Sequence, residues 1–394
     1  MSAIALFFKQ GVFKQGVFNQ GVFKQERPVD KYVLWSALIL AGVGVASVYS
    51  AITYFAETQA GGNTNRLLMT HLLRVGAAIG LMGLFSVIDY RILAKYSRYA
   101  VFVTVGFLVA VQVVGIAYGG ATRWLKIGPF VFQPSDPARV ALIIFVAMLL
   151  ARKQAYIKSF TRCFAPIFFW ILLAVALIGT EDLSTAALLM CSALVMCFIA
   201  RVSLLHISAL GIVGLMLGYL LLLGSPARAA RIEAWLGIKL FPNTESVEVF
   251  SKQGELYQSS QAKIAFATGG LTGVGPGKSA RKGFIPASYN DFIYAIIAEE
   301  YGVIGAITLL MLYVLILFRG LLRIARRAPD PLGLFLSVGL VVMLSLYGFV
   351  HAGVASGLLP VTGLALPFVS YGGSSMIVNG VMIGILLNIS RQVD

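Results

Sequence analysis

Residues 269–279 read GGLTGVGPGKS, and Arg281 and Lys282 follow at once. Glycines allow positive φ and close backbone approach, and consecutive N–H groups can form an anion nest. Lys278, Arg281 and Lys282 add positive charge, so phosphate binding is the first chemistry to test. A Walker A loop needs G-x-x-x-x-G-K-[ST], the length that wraps N–H groups round the phosphates. Gly277-Lys278-Ser279 ends that pattern, but Thr272 stands where its first glycine belongs. Gly273, Gly275 and Gly277 also miss G-x-G-x-x-G by one residue, and no strand precedes them to build a βαβ unit. The spacing excludes a nucleotide site. Two readings remain: a site for a membrane-borne anion, or a tight re-entrant turn whose basic residues touch lipid headgroups.

Other residues could take part in the same chemistry. Asp291 lies just before an apolar run that begins at Phe292; by residue type alone it reads as a helix cap. Arg123, Trp124 and Lys126 stand together in one short polar segment, where Trp124 either stacks on a sugar or anchors at the membrane interface. Charges inside apolar segments mark function or pairing. Arg139 and Asp182 are expected to pair with each other or with Glu300 in a structural network; Glu299 and Glu300 lie about two turns beyond Asp291. Arg74 and His71 have no assigned role. Ser370-Tyr371-Gly372-Gly373-Ser374-Ser375, with Pro360 and Pro367, breaks a helix at membrane depth, which is tolerated only where protein or a water-lined cavity covers the backbone. Cys163, Cys191 and Cys197 have neither metal-ligand nor disulfide spacing.

The elements that position these residues are transmembrane helices. Only 12% of the 394 residues are charged, against about 25% in soluble chains, and the mean hydropathy is +0.87. About ten spans are expected, near 33–54, 67–88, 99–118, 137–151, 165–179, 183–200, 202–224, 292–318, 333–356 and 372–390. The fourth and fifth are short for a full crossing. The fold class is therefore all-α and polytopic. Lys and Arg of short loops stay cytoplasmic, and Arg91, Lys95, Arg98, the Arg152–Arg162 group and Arg319–Arg327 all fall on one side when both termini are inside. The +15 net charge is thus an orientation and lipid-surface signal and not a nucleic-acid one. Residues 1–30, with their KQGVF-like pentapeptide repeat, form a cytoplasmic tail without assigned chemistry. Residues 31–394 form the transmembrane domain, and its long connection at about 225–290 lies outside, where ATP is absent.

Beyond the glycine loop several ordered motifs occur together: GGATRWLKIGPFVFQPSDPAR at 119–139, EDLSTA at 181–186, YQSSQAKIAFATGG leading into the loop, then Pro286, Asp291-Phe292 and Glu299-Glu300, and LLPVTGLALPFVSYGGSS at 358–375. In these the chain resembles the SEDS proteins (shape, elongation, division and sporulation), the peptidoglycan glycosyltransferases that include RodA, FtsW and SpoVE. The resemblance spans all but the N-terminal tail. The form G-x-G-P-G-x-S is more similar to the division branch, FtsW. Asp136 and Arg139 stand where the family has Glu and Lys, Glu181 and Ser184 replace Pro and Gly, and Ala287, Tyr289 and His351 replace Glu, His and Asn.

The resemblance implies that lipid II is polymerised into septal glycan, the acceptor hydroxyl displacing the donor's lipid diphosphate. It implies Asp291 as the catalytic general base. Arg123, Trp124, Lys278, Ser279, Arg281, Lys282, Glu300, Ser370 and Tyr371 are the expected substrate-binding residues. No metal-ligand set is present in the sequence; a divalent cation, Mg²⁺ or Mn²⁺, would rely on the diphosphate oxygens. The implied partners are a class B penicillin-binding protein (the transpeptidase), divisome proteins and membrane lipids, at the septum of the bacterial inner membrane. The competing expectations are a lipid II flippase and a scaffold that only recruits the transpeptidase.

Overall fold

A computed structural model describes residues 27–59, 64–118, 121–128, 130–241, 248–285 and 288–393. The N-terminal repeat lies outside the described residues, as do Pro286 and Ala287. In hydrocarbon every backbone polar group must be satisfied within its own segment, and the apolar segments accordingly form helices. They are α1 Lys31–Gln59, α2 Thr64–Val87, α3 Tyr90–Val114, α4 Ser135–Arg152, α5 Ala165–Glu181, α6 Leu183–Ile199, α7 Leu204–Leu223, α8 Pro226–Leu236, α9 Glu248–Gly269, α10 Ile293–Arg319, α11 Pro331–Ala355 and α12 Ser374–Arg391. All but α8 and α9 coincide with the ten expected spans.

Among the described residues, eight helical segments are long and apolar enough to cross a membrane. The remaining two are α4, which carries Asp136 and Arg139, and α6, at 17 residues. The fifth span is not short: a π-turn at Phe160–Phe164 precedes α5 and extends the apolar segment to Glu181. The third ends earlier than expected, because residues 116–132 form a small antiparallel sheet of β1 Ile116–Tyr118, β2 Ala121–Ile127 and β3 Phe130–Phe132. Side chains alternate along a strand. On β2 this puts Arg123 on the same face as buried Leu125, with exposed Lys126 on the other.

One end of the bundle gathers basic residues into ion pairs. Arg319 meets Asp30 at 2.6 Å and Arg91 meets Asp330 at 2.8 Å. There the N–H of Arg27 donates to the carbonyl of Arg391, so the start of α1 and the end of α12 share that end. The sheet, α8, the glycine loop, the Asp291 turn and the segment 356–373 lie at the opposite end. The long connection is not a plain loop. Its described residues fold into α8, α9, the glycine loop and the turn that leads into α10.

The glycine loop mends a break in α10. At Gly302 the backbone is non-helical, with φ 68° and ψ −175°. Val303 and Ile304 would ordinarily donate to the carbonyls of Glu299 and Glu300; they donate to Gly270 and Leu271 instead. The two freed carbonyls accept from Val274 and Gly275 of the loop, each at 3.0 Å. The backbones are so close that a Cβ on Gly273 would stand 2.2 Å from the Glu300 oxygen. One on Gly302 would stand 2.3 Å from the Leu271 oxygen. The buried Glu299 carboxylate then accepts from the Ser279 hydroxyl at 2.5 Å and from the N–H groups of Ala280 and Arg281. The loop is a splice, and its N–H groups at 273, 274, 275 and 278 are spent on carbonyls.

Gly273→Ala and Gly302→Ala should each destabilise the protein by more than about 2 kcal/mol, since each adds a backbone clash to a positive φ. Gly277→Ala, with positive φ but open space around it, should cost about 1 kcal/mol. Thermal denaturation in detergent checks the ranking.

Candidate active site

Asp291 is half-buried in the turn before α10. The cap position of α10 is Phe292 and no side chain caps the helix, so the carboxylate is not consumed as a cap. Its Oδ1 accepts from Asn290 Nδ2 at 2.9 Å. Its Oδ2 faces Gly363, where a Cβ would lie 3.8 Å from Oδ2 and 4.0 Å from Arg123 Nη2. Asp291 and Arg123 therefore look onto one small space from two directions, which a glycine keeps clear. Burial raises the Asp291 carboxyl from 3.8 to about 6, against the pull of Arg123 and Arg231 and with a smaller push from Asp182.

Each of these groups is held from elsewhere. Arg123 Nη1 lies 4.0 Å from Asp182 Oδ2. Asp182 caps α6, accepting from the N–H and the hydroxyl of Thr185, both at 2.9 Å. The Thr185 hydroxyl meets the Tyr347 hydroxyl at 2.8 Å, and the Tyr347 ring lies 4.4 Å from the Arg139 guanidinium carbon. Arg139, 1% exposed, pairs with Asp136 at 3.4 Å and donates to Asn379 at 3.1 Å. So Arg139 and Asp182 belong to one network, joined through Tyr347 and Thr185 and not by direct pairing. Glu300 is not part of it; its carboxylate accepts from Ser50 of α1 at 2.5 Å.

The 356–373 segment carries Gly363 to Asp291. His351 Nδ1 donates to the Leu364 carbonyl at 2.7 Å, and the Tyr313 hydroxyl donates to the Pro367 carbonyl at 2.5 Å. Ser370 Oγ accepts from the Leu366 N–H and donates to the Asn290 carbonyl, both at 2.8 Å. Tyr371 N–H donates to the Tyr289 carbonyl at 3.0 Å. Ser370 and Tyr371 thus fix the Asp291 turn by backbone contacts.

The other expected residues are placed as follows. Trp124 is half-buried on β2, opposite Ile116. Ser279 is buried on Glu299. Lys278 is exposed, Lys282 Nζ donates to the Gly277 carbonyl at 2.9 Å, and Arg281 Nη1 donates to Gln261 at 3.2 Å. The cations that bear on Asp291 are Arg123 and Arg231. Arg231 was not singled out from the sequence, although it stands three residues after Arg228 on the amphipathic α8. Arg228 ties that helix to the end of α5 by donating to the Gly179 and Thr180 carbonyls at 2.6 Å. Nothing in the sequence marked Gly363 or Asn290. Among the described residues no group of three or more His, Cys, Asp or Glu side chains could hold a metal ion; the carboxylates of Asp182 and Asp291 each face an arginine.

The comparisons with known proteins agree with this fold. The family model described as "Cell cycle protein", covering FtsW, RodA and SpoVE, matches residues 31–394. The chain belongs to this family, the SEDS proteins. It is 35% identical to stage V sporulation protein E of Bacillus subtilis over 90% of this chain and 94% of that one. It is also 35% identical to the probable peptidoglycan glycosyltransferase FtsW of Geobacter sulfurreducens, over 92% and 95%. Relatives at the same identity thus carry both a sporulation and a division name, and the branch within the family is not resolved. Among solved structures, a chain of a peptidoglycan synthase complex that coordinates polymerization and crosslinking superposes with a TM-score of 0.69 at 25% identity, over 92% of this chain and 98% of that one. The rod shape determining protein RodA of Thermus thermophilus superposes at 0.65 and 24% identity, over 92% and 97%.

The raised Asp291 value means that the folded protein favours the protonated carboxyl. Its stabilising contribution is full at low pH and is lost as pH rises through about 6. Asp291→Asn should therefore raise stability by about 1–3 kcal/mol at pH 8 and leave it unchanged at pH 4. Thermal midpoints of the two proteins across that range check the sign.

Proposed function

We propose that this SEDS-family peptidoglycan glycosyltransferase polymerises lipid II with Asp291 as general base. The observation that carries the reading is a half-buried carboxylate, raised to about 6, that shares one small space with Arg123. A base is most effective when its pKa lies near the working pH. Oδ1 is held by Asn290, which leaves Oδ2 as the oxygen that takes the proton from the acceptor's GlcNAc 4-hydroxyl. The hydroxyl oxygen bonds to C1 of the donor's MurNAc as the bond from C1 to the diphosphate oxygen breaks. The leaving diphosphate carries away the electron pair. Arg123 and Arg231 stand where that charge develops, and fixed cations in a partly desolvated site stabilise it strongly. Asp182 orients Arg123. Among the described residues no side-chain cluster could cage a metal ion; a divalent cation would be carried by the substrate diphosphate.

The basic end of the bundle is assigned to the cytoplasm by the rule that Lys and Arg of short loops stay inside, with both termini there and Asp291 at the outer face of the bacterial inner membrane. The G-x-G-P-G-x-S form of the loop favours the division branch, hence septal synthesis beside divisome proteins. The partner of that reading is a class B penicillin-binding protein; the synthase complex that resembles this chain couples polymerization to crosslinking. Lys278 and Lys282, exposed and half-buried at the same end, extend the positive surface available to the lipid diphosphate.

Labelled lipid II, incubated with the purified protein and the transpeptidase partner, tests the reading. Wild type should yield glycan polymer, Asp291→Ala and Asp291→Asn less than about 1% of it, and Arg123→Gln a loss of about 100-fold. The wild-type rate should fall as pH drops through about 6, where Asp291 becomes protonated. Polymer from either Asp291 variant overturns the assignment, and transbilayer movement without polymer would make the protein a flippase. In the same assay, charge reversal of Lys278 and Lys282 to Glu should slow turnover several-fold; unchanged kinetics would leave the loop as a splice alone.

A further inference from the structure

The reaction proposed above has two lipid-linked substrates, and their diphosphates do different things. The donor's diphosphate leaves from C1, so it must lie against the base and the attacking hydroxyl. The acceptor keeps its diphosphate, which lies a whole disaccharide away from its reacting 4-hydroxyl. A site beside Asp291 can hold only the first. Arg123 and Arg231 are there, and a second cationic site is needed at a distance.

Arg74 has the properties of such a site. It projects from α2, about 15 Å along the helix from Thr64, at the border between the buried residues His71, Val75 and Ala78 and the exposed Leu72 and Leu73. Among the described residues its guanidinium makes no hydrogen bond and no ion pair. An arginine inside a membrane span ordinarily finds an anion or a carbonyl. Here its contacts are aromatic: Arg74 lies 4.9 Å from the Tyr371 ring centroid, and that ring stacks on His71 at 5.4 Å. His71 is 0% exposed and both its nitrogens lack a partner. The guanidinium passes over Gly373, where a Cβ would stand 3.8 Å from its central carbon. Three otherwise unexplained features meet at one place: an uncompensated cation, a buried imidazole with two idle nitrogens, and a glycine beneath them.

The place is also tied to the reaction. Tyr371 meets Tyr289 edge-on at 5.6 Å and holds the Tyr289 carbonyl through its N–H, and Tyr289 stands two residues before Asp291. Arg74 is thus separated from the base by two aromatic rings and is itself partly exposed, next to the exposed Leu72 and Leu73.

We infer that Arg74, with His71 and Tyr371, binds the diphosphate of a second polyprenyl-linked substrate, the acceptor, which arrives laterally from the bilayer along α2. The inference rests on the polymerase reading. The Arg74 guanidinium supplies the charge, and the Tyr371 ring, backed by the buried His71, keeps the guanidinium plane fixed through ring contact.

The test uses the full chain carrying Asp291→Asn, in nanodiscs of zwitterionic lipid, with undecaprenyl diphosphate as probe and native mass spectrometry as readout. Two probe molecules should bind per protein. Adding Arg74→Gln should leave one, Arg123→Gln should also leave one, and Arg74→Lys should retain part of the second. Two bound molecules in the Arg74→Gln protein overturn the proposal. So does loss of the second molecule to an equal concentration of phosphatidylglycerol, which would make the site a phospholipid site. In the active protein Arg74→Gln should raise the KM for lipid II about tenfold and leave kcat within about twofold. Unchanged kinetics overturn the site and spare the polymerase; two bound probes in a wild type that forms no polymer would do the reverse.

Discussion

The broken ladder of α10 is the constraint from which the rest of this end of the molecule follows. A helix interrupted at Gly302 leaves two donors and two acceptors without partners at a depth where water is scarce, and each would cost several kcal/mol if left bare. The glycine loop answers all four with its own backbone, which is possible only because Gly273 and Gly302 lack side chains. Once the loop is locked there, Glu299 fixes Ser279, Ala280 and Arg281, and the described chain just upstream of the Asp291 turn is anchored to α10.

The second organising element is a polar relay that runs from the bundle interior to the surface. Asn379, Arg139, Tyr347, Thr185, Asp182 and Arg123 come from α12, α4, α11, α6 and β2, and each orients the next. Burying an arginine as fully as Arg139 is tolerable only with several partners at once. Asp136, Asn379 and the Tyr347 ring supply them. The aspartate and arginine at 136 and 139, three residues apart on α4, form the ion pair at the centre of the relay. The relay makes the position of Arg123 a property of the whole bundle and not of the small sheet that carries it.

Much of this was legible in the sequence. Apolar length located ten helices because hydrocarbon thickness sets a minimum length that few other structures need. The motifs contain Asp291, Arg123, Ser370 and Tyr371, and the fold brings these residues to one end of the bundle. The composition of the glycine loop suggests an anion nest, but the carbonyls that take the N–H groups of Val274 and Gly275 belong to Glu299 and Glu300, about 25 residues on and beyond what local pattern can reveal. The sheet at 116–132 escaped because an apolar strand looks like the end of an apolar helix. Arg231 and Gly363 escaped for a different reason. Their significance lies only in what other segments bring next to them, and a lone arginine on an amphipathic helix or a glycine in a turn has no signature of its own.

The segment before α12 carries a consequence for how the protein comes into being. Gly363, Ser370 and Tyr371 leave the ribosome after Arg123 and Asp291, and they complete the surroundings of those two side chains. A chain made only as far as α11 holds Asp291 and Arg123 but not the residues that close over them. The space between Asp291 and Arg123 is therefore closed only once the segment before α12 has been made and has folded back onto the Asp291 turn.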